Sequence, residues 1–134
     1  MRVLITGSAG FIGSHLVSFL LGKNIDIIGI DNFATGFREN VHRNLQIYGQ
    51  KYTFFEGSIL DQNLIKNVLK DVDILIHLAA QVSVIKSIKN PKETHTLNAT
   101  AFLELIELAK IMKVKKNVYS STCAVYGDSN NQKL

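Results

Sequence analysis

The chain has 134 residues, 46% of them hydrophobic and 19% charged, with a formal net charge of +4. This length fits one domain that buries roughly two-thirds of the surface its unfolded chain exposes, and the composition excludes a disordered or low-complexity segment. Cys123 is the single cysteine, which excludes a disulfide framework and makes a reducing, cytoplasmic compartment the expectation.

Arg2 to Thr6 is a short apolar run closed by Gly7 and reads as the first strand. One Arg precedes it and no long apolar window follows, so neither a signal peptide nor a membrane span is expected. Phe11 to Leu21 places apolar residues at helical spacing, and Ile25 to Ile30 is a dense β-branched run of the kind covered on both faces. Asn32 to Asn40 is polar and contains glycine; a short helix over Val41 to Tyr48 and a third strand over Tyr52 to Phe55 follow. Asp61 caps a helix ending near Leu69, and Val72 to Leu78 is the fourth strand. Pro91 opens the next long helix, whose apolar stripe runs through Leu97, Phe102, Leu105, Ile106 and Ala109; Asn117 to Ser121 is the fifth strand. Lys110, Lys113, Lys115 and Lys116 carry much of the positive charge and surround the end of that helix, where cations complement its dipole. They lack interleaved aromatics and a reading motif, so nucleic acid is not an expected partner. Strand-helix alternation implies a parallel α/β sheet with right-handed crossovers, and no repeat or linker divides it.

The strongest local pattern is "TGSAGFIGSHL", which places Gly7, Gly10 and Gly13 between the first strand and the first helix. Glycines at such a junction allow a tight turn, close approach of a dinucleotide pyrophosphate and tight helix-strand packing, while the helix start offers free N–H groups to phosphate. Asp31 ends the second strand, where a carboxylate accepts hydrogen bonds from an adenosine ribose. His77 lies in an apolar strand, and the histidines, His95 included, are scattered singly. Packing or backbone hydrogen bonding is therefore expected of them, and no metal site. Cys123 has no identifiable acid-base partner and reads as an inert packed thiol.

The spacing Gly7-x-x-Gly10-x-x-Gly13, with "DNFATG" at 31–36, "HLAA" at 77–80 and "SSTCAVYG" at 120–127, resembles the N-terminal part of an extended short-chain dehydrogenase/reductase. Within that family the chain is most similar to nucleotide-sugar 4-epimerases, including those acting on UDP-glucose or UDP-N-acetylglucosamine. The resemblance implies a Rossmann-like doubly wound parallel sheet, truncated after about strand five. Residues 1–134 would then be an incomplete NAD-binding domain without the sugar-binding C-terminal part.

The resemblance also implies roles. Gly7, Gly10, Phe11, Ile12 and Gly13 line the pyrophosphate turn; Asp31 and Asn32 contact the adenosine ribose, and the carboxylate favours NAD over NADP. Ser58 stands where relatives usually carry an Asp that contacts adenine, with Ile59 flanking the ring. Leu78, Ala79, Ala80 and Gln81 follow the fourth strand past the cofactor, although the alanines also suit tight packing. Asn98 matches an Asn of the family's helix motif and equally suits a local backbone bond; Lys86 and Ser87 remain open between site and surface. Thr122 matches the catalytic Ser/Thr that orients the sugar's 4-hydroxyl, with Ser120 nearby as a cofactor or packing group. The Tyr and Lys of the family's Y-x-x-x-K motif have no match in the 134 residues. The resemblance thus implies a nucleotide-sugar partner and a homodimer for the complete enzyme, with neither turnover nor the native dimer for this chain alone. Relatives that dehydrate or decarboxylate nucleotide sugars carry acidic residues after the active Thr, where this chain has Cys123 and Ala124, so epimerisation is preferred over those activities. A stand-alone NAD-binding module is the reading from outside the enzyme class.

Overall fold

Five short runs, Arg2–Thr6 (β1), Asp26–Asp31 (β2), Tyr52–Glu56 (β3), Ile74–His77 (β4) and Lys116–Tyr119 (β5), pair as one parallel sheet in the order β3-β2-β1-β4-β5. The computed structural model describes residues 1–127. In register, Val3 lies beside Ile27 on one flank and Ile74 on the other, and Ile76 lies beside Val118.

The helices are Phe11–Gly22 (α1), Arg38–Tyr48 (α2), Gln62–Val68 (α3), Val84–Lys89 (α4), Pro91–His95 (α5) and Ala101–Ile111 (α6). Because side chains alternate across a strand, the central strands feed two cores. Leu4, Ile28, Ile30 and Leu75 pack on one face with Ile65 and Val68 of α3 and Ala101, Leu105 and Ala109 of α6. Val3, Ile5 and Ile27 pack on the other with Val17 and Leu21 of α1, Val41 of α2, and Tyr52. Coverage on both faces explains why β1 and β2 read as unbroken apolar runs instead of alternating ones.

The Asp61 cap is present: its Oδ1 accepts the N–H groups of Asn63 and Leu64 at 3.0 Å each. Several local expectations change. α2 begins at Arg38, three residues before the apolar Val41, because its first turn is exposed and polar. β4 stops at His77 and begins at Ile74, since only Ile74 to His77 find partners on β1 and β5. The loop after β4 carries a helix that apolar spacing did not announce, α4, capped by Ser83 Oγ accepting Lys86 N–H at 3.3 Å. The long helix expected from Pro91 is divided by a π turn over Thr96–Thr100, a wide turn that often marks a functional position.

The chain runs outward from β1 to β2 and β3, then returns to the other flank for β4 and β5. The carboxyl ends of β1 and β4 therefore diverge at a topological switch point, the place where open α/β sheets hold ligands.

Candidate functional site

The turn between β1 and α1 uses its glycines for separate reasons. Gly7 has φ +71°, and a Cβ there would meet Ala79 N at 2.8 Å, so both conformation and space require glycine. A Cβ on Gly13 would lie 2.1 Å from Gly7 O, so its absence lets α1 begin directly against the turn. Gly10 differs: a Cβ would meet only Gly7 O, at 3.3 Å, and the rest of that space opens into the groove. Gly10 also caps α1 without a side chain. The first-turn amides of Phe11, Ile12 and Gly13 have no intrahelical acceptors, and they face outward at the positive end of the helix. The side chains of Phe11 and Ile12 are 81% and 63% exposed and do not line the groove, so what these residues offer a ligand is main-chain N–H.

The Asp31 carboxylate binds the turn from β2. Its Oδ2 accepts Ala9 N–H at 3.0 Å and its Oδ1 accepts Phe33 N–H at 2.8 Å, which leaves a further lone pair on each oxygen toward the groove. Asn32 Oδ1 accepts Ala34 N–H at 3.0 Å and shapes the loop that follows. Gly7, Gly10, Asp31, Asn32, Ser58, Ile59, Leu78, Ala79, Ala80 and Gln81 line one groove at the switch point. Ser58 Oγ accepts Leu60 N–H at 3.2 Å, while Ile59 is buried and belongs to the core as well. Sequence reasoning missed Ile30, Ala34, Thr35, Gly57 and Leu97 on the same walls, and left Lys86 open. Ala34 and Thr35 lie inside the quoted "DNFATG" stretch and Gly57 directly precedes Ser58, so their neighbours already marked them.

Beyond β4, Thr6 and His77 hold the wall in place. Thr6 Oγ1 accepts Leu78 N–H and Ala79 N–H at 3.3 Å each, and lies 2.7 Å from His77 Nδ1. With both lone pairs engaged, the Thr6 hydroxyl donates its proton to Nδ1, which fixes a neutral imidazole protonated at Nε2. Burial lowers the His77 pKa, consistent with that form, and Phe102 stacks on the ring at 5.5 Å. Among the described residues no group of three His, Cys, Asp or Glu gathers to hold a metal ion.

Asn98, on the π turn, spends its amide on the main chain of Gln81: Gln81 N–H donates to its Oδ1 and its Nδ2 donates to Gln81 O, both at 2.8 Å. It clamps the groove wall from 17 residues away and is not itself in the lining. Ser120 N–H donates to His77 O at 3.3 Å and continues the β4–β5 ladder, so Ser120 and Thr122 lie past the end of β5 and outside the groove lining. Thr122 O accepts Val125 N–H at 3.4 Å at the start of a short 3₁₀ turn, Cys123–Tyr126. The expected packing of the Cys123 thiol concerns a side chain outside the described ones.

The model of the NAD dependent epimerase/dehydratase family matches residues 3–133. The UDP-glucose 4-epimerase of Pasteurella multocida is 38% identical over 130 residues, covering 96% of this chain and 38% of its own length; that of Erwinia amylovora is 36% identical over 129 residues, covering 95% and 38%. The UDP-glucose 4-epimerase from Stenotrophomonas maltophila, solved with bound NAD and formylated UDP-arabinopyranose, superposes with a TM-score of 0.90 at 28% identity. It is matched over 100% of this chain and 40% of its own. The UDP-glucose 4-epimerase of Thermus thermophilus in complex with NAD gives a TM-score of 0.86 at 35% identity, covering 99% and 42%. The chain thus spans about two fifths of the length of these relatives. Its sheet order, glycine turn and acidic end of β2, together with a match along nearly all its residues, show that the chain belongs to the NAD dependent epimerase/dehydratase family.

Proposed function

We propose that the groove binds NAD and that the chain is the cofactor-binding part of a nucleotide-sugar 4-epimerase, with sugar recognition residing outside these 134 residues. The observation that carries this reading is the pairing of the side-chain-free Gly10 cap with the Asp31 carboxylate across one groove. The first offers amides to a diphosphate and the second accepts ribose hydroxyls. The open space at Gly10 and the remaining acceptor capacity of Asp31 support a dinucleotide as the ligand. NAD held there would supply a reversible hydride acceptor for sugar carbon 4. Asp31 sets which dinucleotide enters, because a 2′-phosphate would meet it with like charge. Small side chains at Ala79 and Ala80 let the groove wall approach the cofactor, and Thr122 orients the sugar's 4-hydroxyl.

Relatives named as UDP-glucose 4-epimerases, and solved ones holding formylated UDP-arabinopyranose or UDP-glucose, support a nucleotide sugar as the substrate class. Cys123 and Ala124, where dehydrating relatives place acids, support epimerisation. Leu103 and Ile111 on α6 are 60% and 69% exposed, which supports a helix-paired homodimer for the complete enzyme. No helix among the described residues is long and apolar enough to cross a membrane, which fits the proposed cytoplasmic setting. Calorimetric titration with NAD and NADP tests the reading; NADP binding as tightly as NAD would overturn it.

A further inference from the structure

We propose that Glu56 is a specificity-determining residue for the dinucleotide: it occupies the Arg38 guanidinium and so denies a 2′-phosphate the cation that stands beside the Asp31 loop. The inference deepens the NAD reading of the groove and rests on it. Asp31 and Glu56 end neighbouring strands as register partners, and Gly57 N–H donates to Asp31 O at 3.1 Å. Register partners project from the same face of a sheet, so the two carboxylates leave β2 and β3 on one side. Glu56 directly precedes Gly57 and Ser58, both of which line the groove.

The start of α2 brings Arg38 to the same place. Ala9 O accepts Phe37 N–H at 3.1 Å and Asn40 Nδ2 at 2.9 Å, so residues on either side of Arg38 are tied to the glycine turn that Asp31 also holds. The Arg38 side chain is then fixed twice. Its guanidinium carbon lies 4.2 Å from the centre of the Phe33 ring, and Phe33 N–H is itself bound to Asp31 Oδ1. Its Nη1 and Nη2 donate to Glu56 Oε2 and Oε1 at 2.8 and 2.5 Å, a two-pronged pairing that engages the fork. These bonds hold the Glu56 carboxyl below its ordinary pKa and the Arg38 guanidinium above its own, so both stay charged.

Stability does not account for the arrangement. The two side chains are 55% and 52% exposed, and an ion pair in that setting contributes little to folding. Its consequence lies in ligand choice. A guanidinium offers a planar donor fork that suits a phosphate, and this one is anchored to the loop that Asp31 organises. With Arg38 free, its charge would offset the repulsion between Asp31 and a 2′-phosphate. With both terminal nitrogens on Glu56, the offset is withheld and a second carboxylate stands beside the first. Lys86, a cation that does line the groove, sits on α4 beyond β4 and so belongs to the other wall.

The test compares the chain with its Glu56→Gln, Arg38→Gln and double variants by calorimetry with NAD and NADP, and by NMR titration with adenosine and adenosine 2′-monophosphate, alongside thermal melts. Glu56→Gln is expected to tighten NADP and adenosine 2′-monophosphate about threefold to tenfold, the range of one charge-assisted contact at an exposed site, with NAD and adenosine unchanged. A merely structural role would move all four ligands together. Arg38→Gln is expected to give no gain, and the double variant to lose most of the gain seen in Glu56→Gln. A ratio of NADP to NAD affinity in Glu56→Gln within a factor of two of the parent, an equal change for adenosine and its 2′-monophosphate, or an undiminished gain in the double variant would overturn the proposal. Failure of the parent chain to bind NAD at all would instead overturn the functional reading beneath it.

Discussion

Asp31 Oδ2 accepts the N–H of Ala9 at 3.0 Å, so the residue that ends β2 also fixes the loop that ends β1. The second oxygen holds Phe33 N–H at 2.8 Å, and one carboxylate thereby joins the glycine turn after β1 to the loop after β2. Asp31→Asn keeps the shape but leaves a single acceptor and no charge. NAD affinity is expected to fall about tenfold and the preference over NADP to shrink, since the like-charge penalty disappears. Titration of both dinucleotides checks this; an unchanged NAD/NADP ratio would remove Asp31 from the specificity role.

Gly10 and Gly13 differ in the room around them, and substitutions there should separate binding from folding. The space at Gly10 is open apart from one contact at 3.3 Å, whereas a methyl on Gly13 would press to 2.1 Å against a backbone oxygen. Gly10→Ala and Gly10→Val should melt within about 1 kcal/mol of the parent, while NAD binding drops sharply. Gly13→Ala should cost about 3 kcal/mol of stability and take binding with it. Denaturant unfolding and calorimetry on the same samples distinguish the two, and a Gly10→Val variant that binds NAD normally would show the turn has been assigned to the wrong ligand.

His77 predicts a pH dependence. Its folded pKa lies below the ordinary 6.5 because burial disfavours the imidazolium. Above that value the ring is neutral in both states and contributes nothing to the slope. As pH falls through 6.5, the unfolded chain gains a proton that the folded chain refuses, so stability declines until folded His77 itself protonates. Urea unfolding at about pH 7.5 and about pH 5.5 should show the loss, and His77→Asn, which keeps an acceptor for Thr6, should flatten it. An equal decline in the variant would place the effect elsewhere.

Asn98→Ala removes both bonds to Gln81 and should release the groove wall, at a cost of about 1–2 kcal/mol. Hydrogen exchange at the Gln81 amide should accelerate accordingly. Asn98→Asp retains an acceptor for that amide and should preserve its protection while losing the bond to Gln81 O. Fast exchange in both variants, or in neither, would contradict the clamp.

The 134-residue chain should bind NAD yet convert no UDP-glucose to its 4-epimer. Thr122 can orient a hydroxyl, but no Tyr in the sequence has a Lys four positions later, and general acid-base catalysis is commonly worth about a hundredfold to ten-thousandfold. Chromatographic separation of the epimers, with the melt and NAD binding measured on the same sample, provides the check. Product above a no-protein control that Thr122→Ala diminishes would require a base within these residues.

Local pattern indicated a parallel sheet, because strand-like runs alternate with helical stretches along the chain. It also placed the glycine turn and the acid at the end of β2, which the structure brings to one groove, since glycine spacing and a carboxylate at a strand end are contiguous features. The edges of elements were less legible: β4 shrank to Ile74–His77 because strand length is decided by which residues find partners on β1 and β5. Tertiary structure alone decided the rest. Thr6 meets His77 across 71 positions, and Asn98 meets Gln81 across 17. The Tyr52 phenol and the Ser8 hydroxyl both crowd the face of Gly29, which local pattern shows as one more glycine in an apolar strand. Such contacts depend on sheet register and on which face a side chain occupies, and those are set only when strands distant in sequence pair, so no local spacing encodes them.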